Sequence, residues 1–81
     1  MKYALYRCIA LAEDMPQNQL RRGDVAMVVE YYEGRPGQEH GYELEVFNAL
    51  GETIAVVTVR EAQIELLRKD EVLSVRPLIA T

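Results

Sequence analysis

The chain has one cysteine, Cys8, and one histidine, His40, in 81 residues. A lone thiol has no partner within the chain, so no disulfide framework is available, although a secreted domain of this size usually carries one. One Cys and one His also fall short of the four ligands of a structural zinc site. Hydrolases and transferases of the nucleophilic type need a nucleophile held beside a base. Cys8 sits inside an apolar run and His40 in a glycine-rich stretch, and no spacing brings them together. Cys8 reads as a buried, inert thiol and His40 as a solvated loop residue. A phosphate-cradling glycine loop is missing too, since Gly34 and Gly37 flank Pro36 in a pattern that suits a turn. The sequence therefore predicts no enzyme, no metal and no cofactor.

A surplus of positive charge is also lacking. Nine Lys and Arg stand against thirteen Asp and Glu, a formal net charge of −4. The basic residues are scattered, with only Arg21-Arg22 and Arg68-Lys69 adjacent. Backbone phosphates and anionic lipid headgroups must be met by clustered cations, so neither nucleic acid nor a membrane surface is an expected partner. No eighteen apolar residues run together, which excludes a transmembrane helix. The opening "MKYALYRCIALAEDMP" is a poor export signal. Arg7 interrupts its apolar stretch, Glu13 and Asp14 follow at once, and no small-residue cleavage site appears. A cytoplasmic location is the expectation.

What the chain does have is β signal at short intervals. Leu5 to Leu11 is an apolar run bounded by the polar "AEDMPQNQ" and predicts a first strand. Val25 to Tyr32, rich in Val and Tyr, predicts a second. "EGRPGQEHG" is a loop. Tyr42 to Phe47 alternates strictly, with Tyr42, Leu44 and Val46 on one face and Glu43 and Glu45 on the other. That is the pattern of a half-buried antiparallel strand. "NALGE" turns it into Thr53 to Val59, with Asn48 and Gly51 suited to positive φ. "REAQIELLRKDE" favours a turn or two of helix, and "EVLSVRPL" alternates as a fifth strand ended by Pro77. Residues 1–81 thus predict one all-β domain: a small SH3-like barrel of about five antiparallel strands with a short helical turn before the last. A domain this short buries only about 60% of its unfolded surface, and closing the sheet limits its exposed edges.

Two stretches, "LYRCIALAEDMPQNQLRRGDVAMVVEYYEG" and "GYELEVFNALGETIAVVTV", carry a resemblance. They resemble a family of small bacterial proteins, frequent in cyanobacteria, known only as a domain of unknown function. The matching elements are Glu13-Asp14 with Pro16, Leu20 with Gly23 and Asp24, Val28-Val29-Glu30, and Tyr42 to Phe47, within residues 5 to 59. The resemblance implies an SH3-like barrel similar to KOW-type domains. It supplies no catalytic residues, and it implies a protein partner, in some members a toxin-like neighbouring gene product. The longer approach to Pro77-Leu78 departs from the family pattern.

Candidate partner-binding residues follow from these readings. Glu13 and Asp14 lie in the first long loop, where SH3 domains meet basic residues of Pro-rich ligands. The chain has no tryptophan, the residue on which true SH3 grooves lean, which weakens a polyproline reading. Tyr6, Tyr31 or Tyr32 supplies the aromatics on that reading, with Tyr31 the candidate contact. Glu30, Glu33, Glu43 and Glu45 line one outer face if the second and third strands pair; a solvated face that discourages edge association is the plainer reading. The alternative is a self-associating structural protein, through Tyr3, Tyr6, Met27, Tyr31 or Ile79 as an exposed apolar patch, or a small accessory subunit of an enzyme complex.

Within the second strand's approach stands Arg22-Gly23-Asp24, an adhesion tripeptide when taken alone. Adhesion needs extracellular display, and nothing in the sequence directs export. Gly23 instead predicts a turn at positive φ, with Asp24 accepting hydrogen bonds from nearby loop amides.

Overall fold

The computed structural model describes residues 1–78. Their strands are β1 (Cys8–Leu11), β2 (Val25–Tyr32), β3 (Gly41–Phe47), β4 (Thr53–Arg60) and β5 (Ile64–Glu65). They form one antiparallel sheet in the order β4-β3-β2-β1-β5. The sheet curls into a half-barrel, with two 3₁₀ turns, Pro16–Asn18 and Glu61–Gln63, as the helical elements among the described residues. Tyr42, Leu44 and Val46 of β3 point into the curl with Val57 and Val59 of β4, and Ile9, Leu11, Val28 and Ile64 complete the core. Each such side chain favours folding by about 1.5–3 kcal/mol over its exposed state. Glu43 and Glu45 face outward, as their alternation requires.

β2 does not keep a single alternation. Val28 faces Leu44, but Glu30 faces Glu43, so Val29 is an extra residue opposite nothing. Before this bulge Val25 and Met27 point outward. After it Glu30 and Tyr32 do, and Tyr31 turns inward to place its ring 5.3 Å from that of Tyr42.

The open side of the curl is closed by a phenol. Tyr42 is fully buried. Its Oη accepts the backbone N–H groups of Lys2 (3.1 Å) and Tyr3 (3.2 Å) and donates to Oε2 of Glu61 (2.8 Å). Burial raises the pKa of the Tyr42 hydroxyl, and its bond to Glu61 raises it further, against a lowering by the two amides. Tyr3 packs edge-on against the same ring at 5.4 Å and donates its own hydroxyl to the Ile64 carbonyl (3.0 Å). Among the described residues no buried side-chain polar atom lacks a partner.

Several expectations are corrected. The first strand begins at Cys8, not Leu5, because Tyr6 takes φ +63° and breaks the extended run. The helical turn expected before the last strand is there, as Glu61–Gln63, but the fifth strand follows it at once, at Ile64–Glu65. Residues 72–76 are not in a strand: β1 has already been paired, by Ala10 with Glu65 and Leu11 with Ile64. Cys8 is exposed, on the outer face opposite Met27. Tyr3 is buried and Tyr31 half-buried, so they do not join Tyr6 in a surface patch, and Ile79 lies outside the described residues. In the β3–β4 turn only Gly51 has positive φ, +84°. Asn48 instead uses its Oδ1 to accept the N–H groups of Leu50 (3.0 Å) and Glu52 (2.9 Å).

Gly23 has φ +91°, and a Cβ there would meet nothing within 4 Å. Its requirement is conformational, not steric. Gly23→Val is expected to cost about 1–2 kcal/mol in chemical denaturation, while Arg22→Ala stays within about 0.5 kcal/mol. Equal, small effects would contradict a turn that needs glycine. Tyr42→Phe removes one acceptor and one donor from the closure and is expected to cost about 1–3 kcal/mol. The same measurement checks it, with Tyr3→Phe as the single-bond comparison.

Candidate interaction surface

Beyond Glu65 the chain leaves the sheet. Residues 66–78, "LLRKDEVLSVRPL", have no regular secondary structure. Their apolar side chains find little cover: Val72 is 90% exposed, Leu73 74% and Val75 86%. Exposed apolar groups are ordinary singly, but a cluster of them along one segment is a candidate contact surface.

This segment is nevertheless held in place. Arg76 Nε donates to Asp24 Oδ1 at 3.0 Å, its Nη2 donates to Asp24 Oδ2, and Nη2 also reaches the Gln19 carbonyl at 3.1 Å. Asp24 in turn accepts the Arg21 N–H through Oδ2 (2.7 Å), closing the turn that Gly23 permits. Both partners of the ion pair are about three-quarters buried, with side-chain exposures of 25% and 22%. Two-point guanidinium–carboxylate geometry of this kind is stronger than a surface pair. Burial alone would raise the Asp24 pKa. The Arg76 hydrogen bonds, the Arg21 amide and the nearby positive charges outweigh it and hold the carboxyl below its usual range. Between the tethered segment and the sheet lies a groove of about 800 Å³. The sheet lines it with Val25, Phe47 and Ile54, and the segment with Leu67, Val72 and Val75.

The residues singled out from the sequence are dispersed. Glu13 accepts from Gln63 Nε2 at 2.8 Å and lies 3.9 Å from Arg60. Asp14 accepts the Arg22 N–H at 2.9 Å. Glu43 accepts from the Tyr32 hydroxyl at 3.3 Å, and Glu45 from the Thr53 hydroxyl. Glu43 and Glu45 share the outer face with Glu30, which directly faces Glu43. Such a like-charge pair is tolerable only in water. Glu33 lies just past the end of β2. Tyr31 is on the opposite side of the sheet, its ring 5.6 Å from that of His40.

His40 is half-buried, not simply solvated. Its Nδ1 accepts the Gly34 N–H at 2.9 Å and closes the 34–40 loop. A Cβ on Gly34 would fall 2.6 Å from the carbonyl oxygens of Gln38 and Glu39, so the loop requires glycine there for close approach. Cys8 faces Met27, whereas Gly41, next to His40, faces Tyr32. Five residues of strand separate the two positions, about 17 Å.

The Asp24–Arg76 tether had no local signal, since 52 residues separate its ends. The exposed segment did have one, the alternation of "EVLSVRPL", but that alternation does not say whether a sheet position is free.

A family model described as a domain of unknown function (DUF4926) matches residues 5–66. No curated protein and no solved structure matches the chain. The matched region ends one residue past β5, where the exposed segment begins.

A lowered folded-state pKa means that Asp24 adds stability at pH values above the ordinary carboxylate range. That contribution fades as pH falls through the ordinary value of about 4 and is lost below the folded-state value. Proteolysis of residues 66–76 is expected to accelerate over that acidic range, using an acid-active protease. Arg76→Ala is expected to give fast cleavage at neutral pH and to lose about 1 kcal/mol of stability. A cleavage rate indifferent to both changes would show that the ion pair does not hold the segment.

Proposed function

The chain belongs to the domain-of-unknown-function family DUF4926, and on that premise we propose that it is a non-catalytic protein-interaction module whose contact is made by residues 66–78. The observation that carries this reading is the exposure of Val72, Leu73 and Val75 on a segment tethered at both ends, by β5 and by Arg76. The segment is rich in strand-forming residues but has no strand partner among the described residues. A segment of that kind suits addition to the sheet edge of another protein, with side chains of one parity entering apolar pockets. We take the half-barrel as SH3-like, in view of its strand order and the 3₁₀ turn before β5. The dispersal of Glu13, Asp14, Tyr31, Glu43 and Glu45 favours the segment over those residues as the contact. The separation of Cys8 from His40 favours binding over catalysis.

The partner we propose is a cytoplasmic bacterial protein encoded by a neighbouring gene, toxin-like in character, which makes the chain its neutralising companion. Among the described residues no helix is long and apolar enough to cross a membrane.

Co-purification of the full chain with the neighbouring gene product, and rescue of growth when both are expressed, tests the proposal. Leu73→Asp with Val75→Asp is expected to weaken capture by about thirtyfold, on the scale of two central contacts. The melting temperature should not change, because both side chains are exposed. Failure to co-purify would reject the neutralising role. Undiminished capture by the double variant would reject the segment as the contact.

A further inference from the structure

We propose that the groove between residues 66–78 and the sheet takes one extended strand of a protein partner, apolar on one face and acidic on the other. The proposal rests on the partner-binding reading and names the chemistry of the partner's contact.

Charge gives the sign. The chain has two pairs of adjacent basic residues, Arg21-Arg22 and Arg68-Lys69. Folding sets both beside this groove. Arg21 and Arg22 line it, and Arg68-Lys69 falls between Leu67 and Glu71, which also line it. Among the described residues no carboxylate lies within ion-pair distance of Arg21, Arg22 or Lys69. Residues 19–24 and 66–78 carry Arg21, Arg22, Arg68, Lys69 and Arg76 against Asp24, Asp70 and Glu71. Five cations against three carboxylates leave a surplus of two positive charges here, in a chain whose net charge is −4. The lining carboxylates are already engaged: Asp24 holds Arg76, and Glu71 accepts the Arg68 N–H at 2.6 Å. Glu45, two residues before Phe47 on the same face, does not line the groove and is taken by the Thr53 hydroxyl.

The backbone gives the class of occupant. Among the described residues, no N–H or C=O of residues 72–75 bonds to another backbone group. An added strand matches such a row with its own alternating donors and acceptors, whereas a fatty acid or an oligonucleotide does not. Side chains of a strand alternate between its faces. One set then covers the apolar floor of Val25, Phe47 and Ile54, and the other stands at the rim with Arg21, Arg22 and Lys69. Carboxylates at the rim meet guanidinium groups suited to two-point pairing, while ammonium groups there meet like charge. Nucleic acid is disfavoured by the floor, where Phe47 is the single aromatic and a stacking platform needs several. The groove's volume of about 800 Å³ is within the range of clefts that enclose a ligand.

Calorimetric titration of the full chain with synthetic peptides tests the proposal. The probes are a short blocked peptide of alternating valine and aspartate, its valine–lysine counterpart, and an oligothymidylate. The aspartate peptide is expected to bind, the lysine peptide at least about tenfold more weakly, and the oligothymidylate not at all. Raising salt from about 0.1 M to about 1 M shortens the screening length from about 10 Å to about 3 Å and should narrow that preference. Arg22→Glu with Lys69→Glu changes two exposed side chains that have no ion-pair partner among the described residues. This double variant should keep its circular dichroism spectrum and weaken the aspartate peptide by at least about tenfold. Ile54→Ser thins the floor and should weaken it by about fivefold. Absence of aspartate-peptide binding, equal affinity for the two peptides, indifference to the double charge reversal, or preferred uptake of the oligothymidylate would each overturn the proposal. Capture of the neighbouring gene product that survives Arg22→Glu with Lys69→Glu would reject the acidic strand and leave the partner-binding reading standing. Aspartate-peptide binding without capture of that product would do the reverse.

Discussion

The buried hydroxyl of Tyr42 sets the terms for the rest of the molecule. A phenol deep in an apolar core is costly unless its oxygen is hydrogen-bonded. Here the oxygen takes two amides from the first residues of the chain and gives its proton to Glu61. One side chain of β3 therefore draws together the N-terminal segment and the 3₁₀ turn after β4. Tyr3, brought in by its amide, then bonds the Ile64 carbonyl and fixes the short β5 beside β1. With that position on β1 taken by β5, residues 66–78 lie outside the sheet. The surface exposure of residues 66–78 is a result of how the core is closed.

The same region shows how a turn and a tether share one residue. Asp24 closes the Gly23 turn through the Arg21 amide and holds Arg76 from the far end of the described chain. The tripeptide that suggests adhesion is a structural junction. Its arginine contributes a backbone N–H to Asp14, its glycine a positive φ, and its aspartate two acceptor oxygens.

The middle of the fold was legible because its signal is local. Tyr42, Leu44 and Val46 alternate with Glu43 and Glu45, and one buried face is enough to produce that pattern. The ends were less legible. Tyr6 interrupts an apolar run with a left-handed backbone that tyrosine rarely adopts. Val29 shifts the alternation of β2, which turns Tyr31 from a candidate surface aromatic into a neighbour of Tyr42. "EVLSVRPL" has the composition of a strand, but strand formation also needs a vacant edge in register, a property of the whole sheet. The candidate surface was legible only in composition. The acids of the first loop and of β3 were visible, yet each is engaged within the chain, and the Asp24–Arg76 contact joins positions that no local pattern relates.

Tethering residues 66–76 at both ends has a consequence for how they would be recognised. A free tail loses its chain entropy at the moment of binding, and that loss is subtracted from affinity. A segment closed into an arch has surrendered much of that freedom during folding, and closing a loop of this length costs little more than closing one half as long. Val72, Leu73 and Val75 are therefore offered in a restricted set of conformations, with their apolar surface already outside the core. For the contact proposed above, preorganisation is an economical route to tight binding, because part of the ordering that recognition demands is completed by the fold itself.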